Sequence, residues 1–281
     1  MGAGVETPRH FVFGRLAIML RVMGIVAMAG LAACSRPLPA SDNPVSAPTQ
    51  AIESSINSAA TPLVLKAADG VAIHGALYAA PNPKAIILLF HQAGSGKGEY
   101  ATIAPRLNAL GYTALAIDQR SGGDLFGVNE TARGVGDQPS YLDAKVDLQA
   151  ALDWAKPQGK PIILWGSSYS SALVFLVAAE NPGAVTALLS FSPGEYLGQP
   201  DLVRRNAAKL AVPVFVTSAR DAGEIAAAKA IGDAIPGTGK VQAVPAIAGI
   251  HGSSTLIAAR NPAGAEDNWR VVEAFLKRVA P

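Results

Sequence analysis

From about residue 61 onward the chain alternates between two hydrophobic rhythms. LVLKA at 63–67 and the alternating VAIHGALYA at 71–79 flank the turn-forming pair Asp69-Gly70, the pattern of a β-hairpin. KAIILLFH at 84–91 is apolar without interruption, as a strand covered on both faces must be. In EYATIAPRLNAL, residues 99–110, Ile103, Leu107 and Leu110 recur at helical spacing, and Gly111 ends the run. The same pair of rhythms then repeats. Strands are predicted at 112–118, 161–165, 184–191, 213–219 and 240–247, and helices at 140–155, 168–179, 201–209, 222–235 and 265–279. Strands that alternate with helices imply an α/β fold, a mostly parallel sheet of about eight strands with helices on both faces. Ligands of such sheets bind beyond the carboxyl ends of the strands.

The first sixty residues have a different pattern. Arg9, Arg15 and Arg21 precede an apolar run from Val22 to Ala33, which is too short for a comfortable transmembrane span and has the layout of a signal peptide. Leu31-Ala32-Ala33-Cys34 closes the run and resembles the lipobox of bacterial lipoproteins. That resemblance implies that Cys34, the only cysteine, is acylated and becomes the first mature residue. It also implies a lipoprotein held at the periplasmic face of the outer membrane of a Gram-negative bacterium, because Ser35 and not Asp comes after Cys34. Met19 is an alternative start to Met1, since the segment from Met19 to Cys34 is itself a compact signal. Residues 34–60 are rich in Pro, Ser, Ala and Asn without sustained periodicity and are expected to form a flexible tether. The expected organisation is a signal peptide at 1–33, the tether at 34–60 and one domain at 61–281.

Composition narrows the function classes. The 281 residues are 50% hydrophobic and 16% charged, with a net charge of +2, so a sizeable core is available and no basic stretch is present to track a phosphate backbone. Nucleic acid is not an expected partner. With Cys34 assigned to lipid, no intrachain disulfide remains.

The chemistry concentrates at Gly166-Ser167-Ser168-Tyr169-Ser170, between a buried strand and a helix. In that context G-x-S-x-G forms a nucleophile elbow, whose tight turn needs small residues two before and two after the nucleophile. Gly166 and Ser170 meet the need around Ser168, whereas centring on Ser167 would place Trp165 and Tyr169 there. A serine needs a base, and the base an orienting acid. Of four histidines only His251, in the loop after the last predicted strand, lies C-terminal to Ser168. Asp221 comes after the preceding strand at its carboxyl end and is the expected acid; Asp201 and Glu224 are the alternatives.

Residues from about 62 to 280 resemble the α/β-hydrolase superfamily, in which the triad runs in the order Ser168, Asp221, His251. The stretch FHQAGSGKGEYATIAPRLNALGYTALAIDQRSGG is similar to the HG-x-G opening of monoacylglycerol-lipase-like and dienelactone-hydrolase-like members, with Gln92 where the family commonly has Gly. The resemblance implies an oxyanion hole made by the backbone N–H groups of Ala93 and Tyr169; His91, which comes before Ser168 in the chain, is expected to make a loop-stabilising hydrogen bond and not to act in catalysis. It implies hydrolysis of a small ester-like substrate through an acyl-enzyme, with neither metal nor organic cofactor. A carboxylic ester or thioester is favoured; a peptidase or other non-ester hydrolase, and a catalytically silent ligand-binding lipoprotein, are the alternatives. Only some twenty residues separate the sixth and seventh predicted strands, too few for a helical cap domain, so an open site is expected. The Gly-rich stretch from Asp118 to Tyr141, with Arg120, Phe126, Asn129 and Arg133, reads either as an overhang that selects substrates or as a solvated connection.

Overall fold

The computed structural model describes residues 60–136 and 139–281. The expected signal peptide, Cys34 and the tether up to residue 59 lie outside the described residues. The domain is built on one eight-stranded sheet of order β1-β2-β4-β3-β5-β6-β7-β8.

The hairpin predicted around Asp69-Gly70 is β1 (Thr61–Lys66) and β2 (Ala72–Tyr78), which pair antiparallel with Leu63 opposite Gly75. β2 then runs antiparallel to β4 (Thr113–Ile117), and every later pairing is parallel: β3 (Ile86–Phe90), β5 (Ile162–Ser167), β6 (Ala187–Phe191), β7 (Val214–Thr217) and β8 (Lys240–Ala243). Every residue of β3, β4, β5 and β6 is buried, which accounts for continuous apolar runs where a half-exposed strand would alternate.

Side chains leave alternate faces of each strand, so the sheet carries two cores. Ile86, Leu88 and Phe90 point to the layer formed by α3 (Lys145–Ala155), α4 (Tyr169–Glu180), α5 (Leu202–Ala207) and α6 (Ala222–Ala234). Ile87 and Leu89 point to α1 (Ile103–Ala109) and α7 (Ala265–Val279), where Trp269, Val272, Phe275 and Leu276 fill the opposite core. The two kinds of helix differ as their environments require. α7 keeps its apolar residues on one stripe, whereas α4 is buried from Tyr169 to Ala178 on all sides and reads as apolar throughout.

One helix has no counterpart among the predicted elements. The stretch between β4 and α3 contains α2 (Glu130–Val135), whose N-terminus is capped by the Asn129 side chain accepting from Ala132 N–H at 2.8 Å. Its six residues include Gly134 and show no periodicity long enough to register, so the cap is its only local signal. Between β6 and β7 the described residues hold only the short α5 and no cap domain, as the spacing implies.

Leu173, on the all-buried α4, is fully enclosed between strands and neighbouring helices. Leu173→Ala is expected to lower unfolding stability by about 2–5 kcal/mol, measured by urea denaturation, because the crowded layer cannot collapse into the space left behind.

Candidate active site

The turn from β5 into α4 is what lifts a serine out of the sheet. Ser168 has φ +58° and ψ −120°, a backbone conformation that L-residues adopt at a cost of about 1–3 kcal/mol and that persists only when its surroundings enforce it. The surroundings are visible. Ser168 N–H donates to Phe191 O at the end of β6, and a Cβ at Gly166 would sit 2.4 Å from Ser170 O, so only glycine fits there.

Ser170 occupies the position where the elbow pattern has glycine, and its hydroxyl is part of the turn. It accepts from Ser167 N–H at 2.9 Å and donates toward Phe90 O at 2.6 Å, tying the elbow to the end of β3. The extra hydroxymethyl group therefore satisfies a buried N–H at the closest strand-to-helix approach.

Ser168 Oγ lies 2.8 Å from His251 Nε2, and His251 Nδ1 lies 2.8 Å from Glu224 Oε1. A neutral ring fits both contacts if it donates from Nδ1 to the carboxylate and accepts the serine hydroxyl at Nε2. The loop that carries His251 turns through Gly252, at φ +66°, where a Cβ would lie 2.5 Å from Ser167 Oγ. The His251 side chain remains 41% exposed, so among the described residues the constellation opens to solvent.

The acid against His251 is Glu224 and not the expected Asp221. Asp221 is exposed and caps α6, its Oδ1 accepting from Gly223 N–H at 2.9 Å and Glu224 N–H at 3.1 Å. Its position at the end of β7 suits both roles, and the capping role takes its oxygen. Glu224, three residues on in the first turn, has the longer side chain and reaches back to the histidine. The spacing Asp-x-x-Glu at a helix start is the signal that separates the two acids, one as cap and the other free to turn back. The other alternative, Asp201, pairs with Arg204 on the surface at the start of α5.

Burial pushes the Glu224 carboxyl up, but the Ser192 hydroxyl, His251 and the N–H of Ala219 outweigh it and hold the group below its ordinary value. Glu224 is thus ionised at neutral pH. Ser192, which carries no motif in the sequence, ends β6 with φ +55° and also accepts Gly252 N–H at 2.9 Å. It joins the acid to the histidine loop.

Ala93 comes after β3 in the loop Gln92-Ala93-Gly94, and Tyr169 is the first residue of α4. Among the described residues neither N–H donates to a protein acceptor. The Tyr169 phenol is buried, accepts from Gln119 Nε2 at 2.7 Å and stacks on Tyr141 at 4.5 Å, so α4 begins at a fixed place. His91 is locked beneath this loop: Nδ1 faces Gln92 O at 2.8 Å and Nε2 accepts from Gln119 N–H at 2.8 Å. Burial lowers its pKa to about 4, which keeps the ring neutral, as this donor and acceptor pair requires. No cluster of metal-ligating side chains occurs among the described residues.

Residues 81–229, more than half of the chain, match the family described as serine aminopeptidase, S33. The chain belongs to this family. The chain, a member of the wider α/β-hydrolase superfamily, is 27% identical over 115 residues to a monoglyceride lipase homolog of monkeypox virus, covering 40% of this chain and 39% of that protein. It is 30% identical over 116 residues to human monoglyceride lipase, covering 40% and 36% respectively. The alignments thus span about two fifths or less of these curated relatives. A dienelactone hydrolase from Anabaena variabilis shares the fold with a TM-score of 0.61 at 19% identity, covering 79% of this chain and 98% of that one.

Ser170→Gly tests whether the hydroxyl supports the elbow. It is expected to lower stability by about 1–3 kcal/mol in urea denaturation, since Ser167 N–H is left buried without its acceptor.

Proposed function

We propose that the protein is a serine hydrolase that cleaves a carboxylic ester or thioester through an acyl-enzyme. The observation that carries this reading is the continuous chain from Ser168 Oγ to His251 to the Glu224 carboxylate, with both links at 2.8 Å. His251 takes the Ser168 proton at Nε2 as Oγ attacks the carbonyl carbon, and Glu224 holds the ring in the acting tautomer and stabilises the imidazolium. The carbonyl oxygen becomes an oxyanion that accepts from the N–H groups of Ala93 and Tyr169. Two backbone donors aimed at that oxygen would each be worth about 3–4 kcal/mol to the barrier, by comparison with single-donor deletions.

Collapse of the intermediate passes the proton from His251 to the departing alcohol or thiol. Water then repeats the sequence on the acyl-enzyme, with His251 as base, and releases the acid and free Ser168. The exposure of His251 and the short β6–β7 connection support an open site that admits small esters from solvent. Relatives named as monoglyceride lipases support an ester as the bond cleaved. The family's description supports a second reading, an aminopeptidase acting on a peptide amide by the same residues. Hydrolysis of p-nitrophenyl esters but not of aminoacyl p-nitroanilides separates the two.

The Leu-Ala-Ala-Cys stretch supports a further part of the proposal, that Cys34 carries lipid and holds the domain at the periplasmic face of the outer membrane by the 34–60 tether. Palmitate incorporation in the bacterial host is expected for the wild type and lost in Cys34→Ala; equal labelling of both would sink the anchor.

The two candidate acids make separable predictions. Ser168→Ala is expected to reduce p-nitrophenyl ester hydrolysis to background and to abolish fluorophosphonate labelling. Glu224→Gln is expected to lower kcat roughly 10³–10⁴-fold by losing the carboxylate that sets the histidine tautomer. Asp221→Ala is expected to leave kcat near wild type while costing about 1 kcal/mol of stability as a lost helix cap. The reverse ranking of Asp221 and Glu224 would reject the assignment of the acid.

A further inference from the structure

A second carboxyl lies under the site, and the acyl-transfer steps do not use it. Glu99 sits in the short 3₁₀ turn Lys97–Tyr100 that comes after the Ala93 loop, and only 1% of it is exposed. Each of its oxygens receives a hydrogen bond of 2.8 Å. Oε2 accepts from Gln92 N–H, the residue before Ala93, and Oε1 accepts from the hydroxyl of Ser167, the residue before Ser168. Ser167 Oγ in turn accepts Ser253 N–H at 2.8 Å, two residues beyond His251, and Ser253 Oγ accepts from the Trp165 indole at 2.9 Å.

One carboxyl therefore stands where three segments meet, each carrying a group that acts on substrate one or two residues away. Burying a carboxylate costs free energy that an apolar side chain would not incur, and each of its two oxygens is matched to a donor on a different segment. We propose that Glu99 is a positioning residue: its carboxylate braces the Ala93 loop, the nucleophile elbow and the His251 loop at their working separation. The inference rests on the acyl-transfer reading of Ser168.

Charge matters to this brace. As a carboxylate, Glu99 accepts the Ser167 hydroxyl while Ser167 accepts Ser253 N–H, so each donor has an acceptor. Protonation turns one oxygen into a hydroxyl, a poorer acceptor than a carboxylate oxygen, and weakens the link to the Gln92 N–H or to the Ser167 hydroxyl. Burial pushes the Glu99 carboxyl up to about 7, against the N–H of Gln92, the Ser167 hydroxyl and the positive charge of Arg260. The other titratable groups around it stay neutral there: burial raises the Tyr100 and Tyr169 phenols well above their ordinary range, and His91, beside Gln92, is held unprotonated. Between pH 4.5 and about 7 the folded chain keeps a proton that the unfolded chain has lost. Stability therefore falls as pH rises through that window and levels off above it, while the brace forms.

The test is the pH profile of kcat/KM on a p-nitrophenyl ester for wild type, Glu99→Gln and Ser168→Ala. The wild type is expected to lose activity on the acid side more steeply than Glu99→Gln, by the 10- to 100-fold that protonation of Glu99 removes below about pH 7. Glu99→Gln is expected to reduce kcat about 10- to 100-fold with KM little changed, the cost of a small misplacement of acting groups, and to lack that extra fall. Its urea midpoint should also lose the wild type's decline between pH 4.5 and 7. A Glu99→Gln variant with wild-type kcat and an unchanged acid limb overturns the brace. If that variant does not fold, Ser167→Ala cuts the same link from the other side, and wild-type kcat in a folded Ser167→Ala protein overturns the proposal equally. Activity surviving in Ser168→Ala would instead overturn the acyl-transfer reading, so the two failures are told apart.

Discussion

The site depends on how closely β5 approaches α4. Glycine is the only residue that fits at position 166 beneath Ser170 O, and the absence of a side chain there lets the chain reverse within a few residues and hold Ser168 at positive φ. The strain is stored locally and is opposed by the layers around it. β5 is hydrogen-bonded on both sides, to β3 and β6, and α4 is buried along nearly its whole length, so neither element can relax to relieve the turn. An all-apolar helix behind Ser168 is thus part of the candidate site, because a helix with a free surface could shift.

A second left-handed serine repeats the device on the neighbouring strand. Ser192 ends β6 as Ser168 ends β5, and its hydroxyl meets both the Gly252 N–H and the Glu224 carboxyl. The strained turns stand side by side at the carboxyl edge of the sheet, one presenting Ser168 and the other holding Glu224 and the histidine loop together. Parallel strands put both at the same edge, the geometric reason that a doubly covered sheet places its chemistry there.

Much of this arrangement is legible in the sequence because it is local. Continuous apolar runs mark the buried strands, Gly111 and Asp69-Gly70 mark the turns, and the small residues around Ser168 mark the elbow. The pairing of the acid is not local. Asp221 and Glu224 lie within one helical turn, and sequence position favours the first, yet the choice depends on which carboxyl the helix start consumes as a cap. Ser192 and Glu99 are silent for the same reason, since nothing in FSPGE or KGEYA announces a partner some thirty to seventy residues away. α2 is silent on other grounds, being too short for any periodicity and carried mainly by its Asn129 cap.

The two histidines and two glutamates of the region show how burial sorts groups that are chemically alike. His91 and His251 both lie beyond strands at the carboxyl edge, but His91 has its two nitrogens occupied by backbone partners and no exposed surface, which leaves it no proton to exchange with substrate. His251 is open on one side and faces an ionised acid. Glu224 and Glu99 divide in the same way: one is partly exposed and held ionised against an imidazole, the other is enclosed and titrates near neutrality among neutral donors. Among the described residues every buried side-chain polar atom has a partner, so neither His91 nor Glu99 is a vacancy waiting for a ligand. Their partners are backbone and hydroxyl groups of the segments that carry Ala93 and Ser168 and of the turn after β4, which makes them part of the frame beneath the exposed pair.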